Sequence, residues 1–258
     1  MSGSRMKWIA IITMLIDHIG ASLVEYYLWI TDWSDKSAAA YEMFSNLDSV
    51  LRSIGRLAFP IFIFLLIEGF YHTGNRVRYL LRLAAFCIIS DIPFDLAVFL
   101  SNAAVKSGKF YTFAHQNVFF TLTIGFLGMM FLEKMHGVIR NKAAAVLGLV
   151  AVYAVFGAAA EFLHTDYGAA GVIAILAGWT FKKYSLETGK DMAIPQILSI
   201  VIILTLLSST SEVIALVDAA FVKRYDGTRG KTISKWFFYI FYPAHLFVLF
   251  LIRYLIFP

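Results

Sequence analysis

The run ITMLIDHIGASLV, residues 12–24, sets an acid and an imidazole, Asp17 and His18, inside an otherwise apolar stretch. Imidazole is the side chain whose ordinary pKa lets it take up and return a proton near neutrality. A histidine here is therefore a candidate general base or proton carrier, with the neighbouring carboxylate as its orienting partner. The plainer alternative is a polar pair that only fastens helices together. Lys7 stands eleven residues before His18, which at about 100° per residue returns it to nearly the same helix face, roughly 16 Å along the axis. Asp17 is rotated by about 100° from His18, so it either flanks a cavity shared with His18 or bonds to a neighbouring helix.

Further ionisable residues lie in apolar runs. IGRLAFPIFIFLLIEGF, residues 54–70, places Arg56 and Glu68 near opposite ends of one run, with Pro60 expected to bend it. NRVRYLLRL, residues 75–83, puts Arg78 and Arg82 on one helix face, a pair that repels unless an anion sits between them. It reads either as a topology signal or as a fork for phosphate. HQNVFFTLTIGFL, residues 115–127, offers Asn117 as a group that polarises a carbonyl or as a helix cap. In FFYIFYPAHLFVLFL, residues 237–251, Tyr239, Tyr242 and His245 share a face, so histidines from both ends of the chain reach a similar depth. Neither HExxH nor CxxC spacing occurs, and no metal is expected.

These residues need elements to position them, and composition says which. Hydrophobic residues make up 60% of the 258, charged residues 15%, and mean hydropathy is +0.74, far from a soluble domain. Apolar runs of roughly 14 to 22 residues alternate with short polar connections, as membrane-crossing helices require. A barrel is excluded, because stretches such as Phe59–Leu66 and Ile197–Leu207 are apolar on every side. The expectation is one all-α integral membrane domain over 1–258, a bundle of about nine transmembrane helices, with eight to ten compatible. The first run is read as a retained helix rather than a cleaved signal. The lone cysteine, Cys87, permits no internal disulfide and reads as a small buried hydrophobe.

The net charge of +5 is explained by topology rather than by nucleic acid. With Arg5 and Lys7 inside, the basic loops 72–78, 133–142 and 182–191 fall inside as well. The basic segment 223–235, with Lys223, Arg224, Arg229, Lys231 and Lys235, does so only if Glu212–Val222 forms a short returning helix. The loop 30–53 then lies outside. The amino terminus is placed in the cytoplasm and the carboxyl terminus outside.

In order along the chain, Asp17-His18, GRLAFPIF, the start of a run at Asn117, TDYGAAG at 165–171 and FYPAHL at 241–246 resemble the TraX family, known from conjugative pilin N-acetylation. The match extends over essentially the whole chain. Lys7-x10-His18, the Arg78/Arg82 pair and a histidine in the terminal helix are similar, more distantly, to membrane acyltransferases that modify surface sugars. In that family the arginine pairing is tighter. The resemblance implies a cytosolic acetyl-CoA donor and a protein or glycan acceptor in a bacterial envelope, with the chain in the inner membrane. His18 matches the essential histidine of that broader family and Lys7 its basic partner.

The roles expected on this basis follow from acyl transfer, which needs a base and donors for an oxyanion. His18 is the base or transient acyl carrier, Asp17 fixes a tautomer, and His245 and Asn117 complete the centre. Arg78, Arg82 and Lys7 hold the coenzyme phosphates, while Arg56, Glu68 and Tyr242 line the passage. The alternative from another class is a proton-coupled transporter or flippase using the same buried charges.

Overall fold

Helix starts follow local capping chemistry. The side chains of Asn75, Asn117 and Asn141 each accept a backbone N–H from the first turn that follows them, satisfying donors a helix start leaves open. The computed structural model describes residues 1–230 and 234–257 and is built from helices: α1 Gly3–Ile30, α2 Ala38–Gly55, α3 Ala58–His72, α4 Arg76–Phe94, α5 Val118–Val138, α6 Lys142–Phe162, α7 Gly168–Thr188, α8 Ala193–Leu207, α9 Asp218–Lys223 and α10 Lys235–Ile256. Among the described residues there is no strand, and Gln116 and Thr165 form an isolated bridge.

Among the described residues five helical stretches are long and apolar enough to cross a membrane: α1, Ala38–His72, α5, α6 and Trp236–Ile256. The expected nine are not matched by nine such helices. The 19-residue α4 holds three arginines and an aspartate, and α8 is apolar but has 15 residues. Leu147, Leu206 and Leu255 stand exposed on the outside, whereas Glu68, Asp91, Glu212, Asp218 and Arg253 are buried. Polar groups thus face inward and aliphatic ones outward, as a bundle in lipid demands.

Two expectations are corrected. The loop 30–53 contains α2, which packs along α1 and runs into α3 through a turn at Arg56 and Leu57. Pro60 therefore sits in the first turn of α3, where no N–H is needed, rather than bending a continuous helix. The returning segment is a 3-10 helix, Thr210–Val217, continued by α9. Together they cover about 25 Å, enough to return the chain alongside α8. They deliver residues 226–229 to the chain's own start. Gly3 N–H bonds Thr228 O at 2.8 Å, Ser4 N–H bonds Arg229 O at 3.0 Å, and the Met1 ammonium pairs with Asp226 at 3.3 Å. Residue 1 and that basic segment therefore share one end of the bundle. Lys231 and the Lys235 side chain lie outside the described residues.

The opposite end is tied by a buried arginine. Arg253 donates to Leu96 O and Leu100 O at 2.6 Å, to Ala97 O at 3.0 Å and to Asn102 Oδ1 at 3.3 Å, with Tyr26 4.4 Å from its guanidinium. Those carbonyls belong to the π-helical turn Asp95–Phe99 that follows Pro93, and to Leu100 just beyond it. The cation thus satisfies the negative end of α4. Replacing it by methionine orphans three buried carbonyls, each costing about 1–3 kcal/mol. Arg253→Met is expected to lower stability in micelles by at least about 3 kcal/mol, read from thermal or denaturant unfolding.

Candidate functional site

The first and last helices meet at two imidazoles. His18 Nδ1 and His245 Nε2 are 2.6 Å apart, and the rings stack at 4.9 Å with 16° between their planes. His245 Nδ1 lies 2.7 Å from Phe241 O. A carbonyl only accepts, so in the uncharged pair His245 holds its hydrogen on Nδ1 and accepts at Nε2 from His18 Nδ1–H. The lone pair left over is on His18 Nε2. His245 is buried, whereas His18 keeps accessible surface. Tyr242 sets its ring edgewise to both imidazoles, 5.9 and 5.8 Å away, and its buried hydroxyl has no well-aligned partner.

Asp17 turns away to α2. Its Oδ2 is 2.7 Å from Arg52 Nη1, and a Cβ on Gly55 would collide with the carboxylate, so glycine is required there. His245, not Asp17, sets the His18 tautomer. One turn beyond Arg52, Arg56 is bound at 3.0 Å to the wholly buried Glu212. Facing them is the loop before α7. Asp166 N–H bonds Gln116 O at 2.8 Å, Thr121 Oγ1 donates to Asp166 O, and the Tyr167 ring stacks on Phe59 at 3.8 Å. Backbone φ is +51° at His164 and +65° at Tyr167, so side-chain-bearing residues are held in the left-handed region. The Asp166 carboxyl lies within electrostatic reach of Asp17, Arg52, Arg56, Glu212 and Tyr242. Burial pushes it up to about 6; Asp17 adds to the rise and both arginines oppose it.

The remaining expected residues spread along the bundle. Asn117 caps α5 and donates to Cys87 O at 2.8 Å and Asp91 Oδ1 at 2.9 Å, so its amide is fully engaged and not free to polarise a substrate. Cys87 is buried as expected. Glu68 is an ion-pair partner of Lys182 at 2.5 Å, and Arg56 a partner of Glu212, rather than free groups along a passage. Arg78 is exposed, while Arg82 turns inward to the Tyr79 ring and the Tyr239 hydroxyl, so the two do not form one fork. Arg82 Nε is buried without a partner. Lys7 lies over Phe238 of α10 at 5.2 Å, at the end where residue 1 sits. Between Arg82 and the imidazoles runs a series of rings: Tyr239, Phe86, Phe119 and Tyr242. At the other end, a cleft of 550 Å³ is lined by residues that include His115, Glu161, His164, Thr165 and Tyr167.

Sequence reasoning missed Arg52, Glu212 and Asp166 as members of this cluster. The i, i+4 spacing of Arg52 and Arg56 was a usable signal. The pairing of Arg56 with residue 212 across 156 positions was not.

Residues 2–253 match the family model described as TraX protein. A probable fimbrial assembly protein FimC, serogroup H1, of Dichelobacter nodosus is 26% identical over 254 residues, covering 95% of this chain and 93% of that protein. No solved structure gives a significant match.

Nitrogen-15 NMR of the histidine-labelled protein is expected to show both His18 and His245 protonated at Nδ1 and bare at Nε2; an Nε2–H signal from His245 contradicts the assignment. Asp166 titrates near 6 in the fold against 3.8 for the free side chain. Its stabilising contribution is therefore complete below about pH 4 and lost as pH rises through about 6. Asp166→Asn is expected to raise the unfolding midpoint relative to the parent more at pH 8 than at pH 4.

Proposed function

The chain belongs to the TraX family, and we propose that it is a membrane-embedded acetyltransferase moving an acetyl group from acetyl-CoA to an amine or hydroxyl acceptor at or across the membrane. The observation that carries this reading is the chain Phe241 O, His245, His18, which takes up three ring nitrogens and leaves the lone pair of His18 Nε2 outside it. His18 Nε2 takes the proton of the attacking nitrogen or oxygen as that atom bonds to the thioester carbonyl carbon. The carbon–sulfur bond breaks, and the proton passes from His18 to the departing sulfur. The Tyr242 hydroxyl, which interacts with the Val118 N–H as acceptor and keeps its own hydrogen to give, donates to the oxyanion that forms between the two steps. His245 holds the tautomer throughout.

The donor enters from the end that carries residue 1, which in this reading is the cytoplasmic face of a bacterial inner membrane. Arg82, with its unpartnered buried Nε, suits a phosphate oxygen; Lys7 and Arg78 add positive charge at that end. Nine crossings follow if α4, α7, α8 and the 3-10/α9 segment are added to the five long apolar helices. The Dichelobacter relative, a probable fimbrial assembly protein, supports an acceptor of the pilin type, and a glycan hydroxyl is chemically compatible as well.

A proton-coupled transporter or flippase is the second reading, favoured by Asp218, which is wholly buried with both carboxylate oxygens unpartnered. Labelled acetyl-CoA given to the purified protein with envelope extract separates the two. Acetyl transfer releases free coenzyme, whereas a transporter leaves the thioester intact. His18→Ala is expected to cut transfer by about 10²–10⁴-fold while coenzyme binding persists. Undiminished turnover in that variant removes His18 from the reaction.

A further inference from the structure

Acyl transfer with His18 as the base makes a cation inside the bundle. Once His18 Nε2 holds the acceptor's proton, the imidazole pair carries one positive charge until that proton leaves with the sulfur. A charge taken out of water is costly unless something compensates it. Among the described residues neither imidazole makes an ion pair, and Asp17, the adjacent carboxylate, is bound to Arg52 at 2.7 Å. The 2.6 Å bond passes part of the charge from His18 to His245, whose Nδ1–H then donates more strongly to Phe241 O at 2.7 Å. His245 is itself buried, so water does not share the load.

Two aromatic rings of α10 flank the pair, and they offer opposite poles. Tyr242 meets both imidazoles edgewise, and the edge is the positive part of an aromatic quadrupole. The Phe241 ring lies within 17° of parallel to His245 with 4.8 Å between centres, a separation at which near-parallel rings overlap face on face with an offset. That face is the negative pole and attracts a cation within about 6 Å of its centre. The i, i+4 spacing puts Phe241 and His245 on one side of α10. Phe237, one turn earlier, packs on the Phe241 ring at 5.8 Å and on Trp8 of α1 at 5.5 Å, which holds the ring in place.

We infer that Phe241 is a positioning residue of the transfer reaction, fixing His245 with its carbonyl and stabilising with its ring face the positive charge that His18 and His245 share between the two proton transfers; this rests on the acetyltransferase reading above. As the acceptor atom bonds to the thioester carbon, its proton goes to His18 Nε2 and the carbonyl electron pair goes to oxygen. The Nδ1 hydrogen of His18 stays bonded toward His245 Nε2, so the pair is charged while its tautomers are kept. The carbon–sulfur bond then breaks, and the Nε2 proton leaves on sulfur. Both transition states flank the charged state and carry part of its charge. Weakening the ring face therefore raises both barriers.

The test uses the full chain in lipid nanodiscs, with Phe241 replaced by phenylalanines that carry one, two and three ring fluorines. Fluorine changes the ring's size little and withdraws charge from its face stepwise, so a role in packing alone is not affected. With acetyl-CoA and envelope extract, kcat for coenzyme release is expected to fall along the series, on the order of 3- to 30-fold at the last member, with KM for acetyl-CoA unchanged. Phe241→Leu, which removes the face and keeps an apolar side chain, is expected to lose at least as much. Nitrogen-15 spectra are expected to keep the His245 Nδ1–H signal in every fluorinated protein. A flat kcat along the series, or a fall that comes with loss of that signal, overturns the assignment of Phe241 and leaves the acetyltransferase reading intact. A parent that releases no coenzyme with envelope extract contradicts that reading and this inference together.

Discussion

The hydrogen bond between His18 and His245 joins residues 227 positions apart, and it exists only while the first and last helices stay side by side and in register. Nothing in the pair itself holds that register. At one end the start of α1 is bonded to residues 226–229, and Trp8 packs on Phe237 of α10 at 5.5 Å. At the other, Arg253 of α10 grips the turn after α4 and stacks on Tyr26 of α1. The imidazoles lie between two fastenings, so their separation is set by contacts distant from them. A slip of one residue along either helix moves a side chain by about 1.5 Å and about 100°, enough to break the bond.

The same bundle must neutralise the charges it encloses. An isolated charge at the bilayer centre costs about 2.5–3.5 kcal/mol on insertion scales, and the chain answers with cross-helix pairs: Asp17 with Arg52, Arg56 with Glu212, Glu68 with Lys182. These pairs divide the interior. Arg82 keeps an unpartnered Nε, while Asp17 Oδ1 and Glu212 Oε2 lack donors.

Much of this was legible in the sequence, because its signals are local or compositional. Apolar runs announced helices, the 3.6-residue period put Tyr242 and His245 on one face, and the rarity of buried histidine singled out His18. What stayed hidden depends on tertiary partners. Asn117 looks equally like a catalytic amide or a cap until its contacts with Cys87 O and Asp91 are seen. The polarity of residues 38–55 disguised a helix as a loop, because its charged face meets Asp17 rather than water. A short returning helix was legible over Glu212–Val222, but the winding of residues 210–217 as a 3-10 helix was not. Asp166 sits in a turn whose fixed geometry comes from α5, so no spacing within TDYGAAG identifies it.

A structure determined with acetyl-CoA bound tests the central claim most directly. The account predicts the thioester carbon in the space beside His18 Nε2, with room for an acceptor atom at about 3–3.5 Å from that carbon, and phosphate oxygens at Arg82. Coenzyme bound elsewhere, or a His18 Nε2 walled off from the thioester with the His18–His245 bond broken, contradicts it.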